Sequence, residues 1–147
     1  MLHPVRIGHV VLKVRDLDRS LAFYRDLLGF QVAGEMSNVM IFLTATGENH
    51  HDLALLRVGD SAPSPLATAV GLYHVAIQLP DWEAVQRAHG VLSERGLLRG
   101  AVDHGVTRSL YTADPDGNEI ELYCDAPRED WEGRVEHAMT VKPLRVE

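Results

Sequence analysis

A strand-like segment occurs twice in this chain. Gly8-His9-Val10-Val11-Leu12-Lys13-Val14 returns as Tyr73-His74-Val75-Ala76-Ile77-Gln78-Leu79, an offset of 65 residues from position 9 to position 74. Each copy runs into an acidic residue, Asp16 or Asp81, and then into a helical pattern. A duplicated unit folds as two similar modules, so a side chain at one position of the first copy has a counterpart at the matching place of the second.

Alternation along a strand assigns the faces. Val10, Leu12 and Val14 share one side, and His9, Val11 and Lys13 the other. In the second copy Val75, Ile77 and Leu79 oppose His74, Ala76 and Gln78. Each histidine sits on the less apolar face. A lone strand histidine is more often a packing residue than a ligand, but two at equivalent repeat positions reverse that preference.

After Asp16, Leu17, Leu21, Tyr24 and Leu28 form one helical stripe, and Gly29 suits a left-handed stop. In the second copy Asp81 caps, Trp82, Val85 and Leu92 lie on the buried side, and Gly96 ends the helix. Strands follow in both halves. The first has Val39 to Leu43, a turn at Thr46 to Asn49, and Asp52 to Val58. The second has Arg108 to Ala113, the turn Asp114-Pro115-Asp116-Gly117-Asn118, and Glu119 to Cys124. The expected fold class is α+β, with module one over about residues 5–59, a linker over 60–70, module two over 71–125 and a tail over 126–147. That tail is either a short docking helix near Trp131 or a loose end.

A formal charge of −7 argues against a nucleic-acid-binding surface, which needs clustered Lys and Arg. No apolar run reaches the length of a membrane span, and the N-terminus lacks the layout of a signal peptide. The single Cys124 has no intrachain disulfide partner, which suits a reducing cytoplasm, and it reads as a packing residue. His3, His89 and His137 read as bland. Lys13 and Arg108 either hold an anionic substrate or are solvated or ion-paired.

If Ala113 pairs with Glu119 across the Asp-Pro-Asp-Gly-Asn turn, Tyr111 lies opposite Glu121 on the same face. A carboxylate between Ile120 and Leu122 needs a charged partner or a metal, whereas Glu119, nearer the turn, is expected to be solvated. His9, His74 and Glu121 then make two imidazoles and one carboxylate, the open triad of non-haem Fe(II) sites. Laying Asp52-Leu53-Ala54-Leu55 on Glu119-Ile120-Glu121-Leu122 puts Ala54 where Glu121 stands, so no fourth protein ligand arises there.

The stretch from about Arg6 to Asp125 resembles the vicinal oxygen chelate superfamily, which includes glyoxalases, bleomycin-resistance proteins and dioxygenases. Three segments carry a closer resemblance to type I extradiol dioxygenases of the catechol 2,3-dioxygenase kind. They are His50-His51-Asp52-Leu53-Ala54-Leu55, Tyr73-His74-Val75-Ala76, and Asp103-His104-Gly105-Val106-Thr107 leading through Ser109-Leu110-Tyr111 to Glu121. The resemblance implies two tandem βαβββ modules forming a curved mixed sheet around a metal site. It implies His9, His74 and Glu121 as ligands of Fe(II), with Mn(II) or Zn(II) as the other metals. It also implies His51 as the acid–base histidine, and His104 and Tyr111 as the pair that hydrogen-bonds substrate. Strict alternation from Ala54 puts His51 on the opposite face, so either it lies at an irregular strand start or His50 takes the role. The implied reaction is ring cleavage of a catechol-like diol by dioxygen in a cytoplasmic homodimer, without nucleic-acid or membrane partners. The other readings are a metal-dependent thiol transferase or isomerase of fosfomycin-resistance or glyoxalase type, and a non-catalytic drug-binding protein.

Overall fold

The computed structural model describes residues 1–66 and 68–146. The chain forms two compact units, Met1–Ala69 with Asp114–Asn118, and Val70–Ala113 with Glu119–Glu147. Each is built on its own mixed sheet, and the fold is α+β.

In the first unit, β1 (Val10–Val14) leads into helix α1 (Leu17–Leu21) and a π-helical turn (Ala22–Leu27), followed by β2 (Gln31–Met36), β3 (Met40–Thr44) and β4 (Leu53–Arg57). The sheet order is β1-β4-β3-β2, with β1 parallel to β4 and the other pairs antiparallel. Leu12 and Val14 are buried while Val11 and Lys13 are exposed, as alternation requires. Asp16 caps α1 by accepting from the Arg19 amide at 2.7 Å.

The helix departs from the expected stripe. Leu17, Leu21 and Tyr24 are buried, but so is Phe23, and Leu28 is only half-buried. The Leu28 amide bonds back to the Phe23 carbonyl at 3.0 Å, five residues earlier, which adds a residue to the turn. That extra residue turns both aromatic rings inward, where Phe23 and Tyr24 meet edge to face at 5.0 Å. Gly29 then ends the element at φ +86°. The turn Asp114–Asn118 belongs to this unit. Asp114 accepts from the buried Tyr24 hydroxyl at 2.9 Å, and Asp116 pairs with Arg15 at 2.9 Å and with Arg19.

The second unit has β5 (His74–Gln78), α2 (Trp82–Glu94), β6 (Gly100–Asp103), β7 (Thr107–Ala113) and β8 (Glu119–Asp125). These strands are ordered β5-β8-β7-β6, with β5 parallel to β8, which repeats the order of the first sheet. Asp81 caps α2 through the Ala84 amide at 2.8 Å, and Gly96 follows it at φ +68°. Val85 and Leu92 are buried on the helix, with Leu110, Ile120, Leu122 and Cys124 buried on the strands. Each such large apolar side chain contributes roughly 1.5–3 kcal/mol by leaving water. Arg108 lies over the Trp82 ring at 4.9 Å.

The tail is not a loose end: it holds the short helix near Trp131 and two further elements. It forms α3 (Arg128–Trp131) and α4 (Val135–Ala138), and then β9 (Lys142–Pro143) pairs antiparallel with β6, so that Val102 faces Pro143 and Asp103 faces Lys142.

Candidate metal centre and its surroundings

The registers of the two sheets place the matching positions. In the first sheet Val11 pairs with Ala54, and in the second Ala76 pairs with Glu121. Ala54 is fully buried and offers no donor atom. Across β7 and β8, Ala113 faces Glu119 and Tyr111 faces Glu121, the register expected from the turn.

In the second unit these strands gather four polar side chains. Glu121 is 8% exposed, and its Oε2 lies 3.1 Å from His74 Nε2. The Tyr111 hydroxyl is 3.2 Å from Glu121 Oε1, within donating reach, and 2.8 Å from His104 Nε2. Burial, and then the Glu121 charge, push the Tyr111 phenol up to about 12, so it remains a hydrogen-bond donor at neutral pH. His104 Nδ1 faces the Thr140 carbonyl oxygen at 3.2 Å.

Glu119 is the residue sequence reasoning misplaced. It is half-buried, with Oε1 3.6 Å from His74 Nδ1, because the parallel register of β5 on β8 sets His74 beside Glu119. Its spacing of two from Glu121, on the same face, was the available signal.

In the first unit His9 stands just ahead of β1, exposed, and not within the strand. The His51 ring lies 4.3 Å from His9, 4.5 Å from His50 and 5.1 Å from Phe42. The Nδ1 atoms of His50 and His51 are 2.6 Å apart, so one carries the hydrogen and donates to the other. Because β4 begins at Leu53, His51 precedes the regular alternation, and the conflict over its face does not arise. Burial, with the neighbouring His9 and His50, pulls the His51 imidazolium below the ordinary histidine range. Asp52 pins this segment by accepting from the Ala45 amide at 2.8 Å, Asn49 Nδ2 at 2.7 Å and the Thr44 hydroxyl at 3.2 Å.

Among the described residues no group of three His, Cys, Asp or Glu side chains converges closely enough to hold a metal ion. The pair in the second unit nevertheless fits two adjacent ligands. Two donors about 2.1 Å from one ion, at a right angle, stand about 3 Å apart, and His74 Nε2 and Glu121 Oε2 are 3.1 Å apart. His74 Nδ1 is buried without a hydrogen-bond partner. A cation on Nε2 would require the hydrogen on Nδ1, which faces Glu119 Oε1 at 3.6 Å. His9 belongs to the other unit.

The family model described as the Glyoxalase/Bleomycin resistance protein/Dioxygenase superfamily matches residues 6–122. A catechol-2,3-dioxygenase of Bacillus subtilis is 40% identical over 144 residues, 96% of this chain, and the chain spans 50% of that protein's length. A probable lactoylglutathione lyase of Vibrio parahaemolyticus is 32% identical over 136 residues, 80% of this chain and 88% of that protein. The solved structure of a glyoxalase/dioxygenase from Nostoc punctiforme superposes with a TM-score of 0.70 at 25% identity, over 86% of this chain and 97% of that one.

Proposed function

The chain belongs to the glyoxalase/bleomycin resistance protein/dioxygenase superfamily, and from that premise we propose that it is an Fe(II)-dependent extradiol dioxygenase acting on a catechol-like diol with dioxygen. The observation that carries the reading is the Tyr111 hydroxyl set between His104 and Glu121, one residue pair away from His74. Oxygen chemistry on a diol needs such donors beside a cation, and thiol addition to an electrophile does not.

In this reading His9, His74 and Glu121 hold the metal. Ferrous iron, when bound, supplies redox coupling between an aromatic diol and dioxygen. His51, kept neutral to lower pH by its surroundings, takes up a proton from the diol and later returns it. His104 and the Tyr111 hydroxyl form the pair that hydrogen-bonds the substrate. Ala54 offers no donor atom, so the metal would be held by His9, His74 and Glu121 alone and would keep room for small molecules. The proposed partner is a second copy of the chain, in a reducing cytoplasm that suits the lone, buried Cys124.

A second reading, a metal-dependent lyase or thiol transferase, draws support from the Vibrio relative, whose length this chain nearly spans. One experiment separates the two. Protein loaded anaerobically with Fe(II) is offered a panel of catechols while oxygen consumption is followed, and Mn(II)- or Zn(II)-loaded protein is offered thiols with aldehydes or epoxides. Oxygen uptake confined to the iron form supports the dioxygenase. Thiol turnover with no oxygen uptake on any catechol ends it.

A further inference from the structure

We propose that the C-terminal tail is a positioning element for His104, its Thr140 carbonyl fixing the imidazole as the Nδ1–H tautomer so that Nε2 faces the Tyr111 hydroxyl as an acceptor.

The tail meets this strand end at several points. The Thr140 amide donates to the His104 carbonyl at 2.8 Å, the Thr140 hydroxyl donates to the Asp103 carbonyl at 3.3 Å, and the Leu144 amide donates to the Ala101 carbonyl at 3.1 Å. On the other side the His104 amide donates to the Thr107 carbonyl at 2.9 Å. The backbone on both sides of the imidazole is therefore held. Gly105 is the position that admits the tail. Its φ is +77°, and a Cβ there would collide with the Ala138 carbonyl oxygen.

Chemistry then settles the ring. A carbonyl oxygen only accepts, so the nitrogen facing it, Nδ1 at 3.2 Å from Thr140, carries the hydrogen. In the neutral ring Nε2 is then an acceptor. The single Tyr111 hydrogen has two acceptors in reach, His104 Nε2 at 2.8 Å and Glu121 Oε1 at 3.2 Å. The clamp draws it to His104 and leaves both Glu121 oxygens as acceptors. Without the carbonyl, the Nε2–H tautomer would donate to Tyr111 and turn the phenol hydrogen onto Glu121. Residues 138–144 touch no reacting atom, so theirs is a positioning role. Its catalytic consequence rests on the dioxygenase reading above, but the tautomer itself does not.

The test uses the full chain with ¹⁵N-labelled imidazoles, observed at about pH 8.5, where an ordinary histidine is neutral. The His104 signal is assigned by its loss in His104→Gln. The wild type is expected to show the Nδ1–H form. Two variants unseat the tail by different routes: Gly105→Ala drives off Ala138, and Thr140→Pro removes the amide that bonds His104. The preceding residue, Met139, already has φ −66° and ψ 125°, the extended backbone that a following proline requires. Both variants are expected to give mixed tautomers, while Thr140→Ala, which keeps the main chain, retains the wild-type form. In the iron-loaded enzyme both are expected to lower kcat about 10- to 100-fold, the range for losing an orienting partner, with KM little changed. An Nε2–H tautomer in the wild type overturns the proposal, and this needs no variant to fold. An unchanged tautomer in both variants also overturns it. A wild-type Nδ1–H signal in a protein that consumes no oxygen leaves the clamp standing and removes the dioxygenase instead.

Discussion

His74 Nε2 lies 3.1 Å from Glu121 Oε2, on neighbouring parallel strands whose register sets Ala76 beside Glu121. In the metal-free protein the imidazole is the near neighbour of a nearly buried carboxylate, and in the proposed holoprotein the two atoms share an ion. Removing the imidazole by His74→Ala takes away the carboxylate's near neighbour and leaves it the Tyr111 hydroxyl, at a cost of about 1–3 kcal/mol in urea unfolding of the apoprotein. Fe(II) or Mn(II) at about 100 times its Kd is expected to add about 2.7 kcal/mol to the wild type and nothing to the variant. Equal stabilisation of both proteins by metal would remove His74 from the ligand set.

Tyr24 is fully buried and donates to Asp114, which also accepts from the Asp116 and Asn118 amides at 2.9 and 2.8 Å. Tyr24→Phe deletes one donor from a charged acceptor that keeps its others. The expected loss is about 1.5 kcal/mol, at the low end for bonds to charged groups. A stability equal to the wild type in denaturant unfolding would mean that the remaining donors close around Asp114.

Asp52 accepts from the Ala45 amide, Asn49 and Thr44, and these bonds, the amide foremost, hold its carboxyl below the usual range. A depressed folded pKa contributes stability that is present above the unfolded value, about 3.9, and is lost as pH falls through the folded one. Because the group is partly solvated, the contribution is on the order of 1 kcal/mol. Unfolding free energy measured from pH 6 down to pH 2 is expected to fall less steeply for Asp52→Asn than for the wild type below about pH 4. Parallel curves would contradict the assignment.

Ala54→Glu restores to the first sheet the carboxylate that the second sheet carries at Glu121. At a fully buried position without a partner, the new charge is expected to cost about 3–5 kcal/mol. If the side chain reaches a bound ion instead, added metal recovers that stability while oxygen uptake is lost. A variant as stable as the wild type without metal, and equally active, would show that position 54 is remote from the centre.

Much of the second hairpin was legible because a short turn fixes strand register, and from Asp114–Asn118 the facing of Tyr111 and Glu121 follows. The alignment of Ala54 with Glu121 was legible for the same reason that the repeat was: the two sheets share one strand order. The π-helical turn was not, since a stripe at helical spacing assumes 3.6 residues per turn and Phe23 appears only when one residue is added. Glu119 was expected in solvent because it is near the turn, whereas a parallel neighbour on the other side partly covers it with His74. The strand at Lys142–Pro143 is too short to show any periodicity, so its pairing with β6 left no trace in the residue pattern.

That added strand gives the duplicated sheets different margins. An open strand edge is a template on which another chain can polymerise. Along β6 the hazard is partly roofed by Lys142 and Pro143, whereas its counterpart β2 breaks register between Val32 and Gly34, and such a bulge twists the edge away. Two strands at the same place in their sheets thus guard against aggregation by unrelated means, one by cover and the other by deformation.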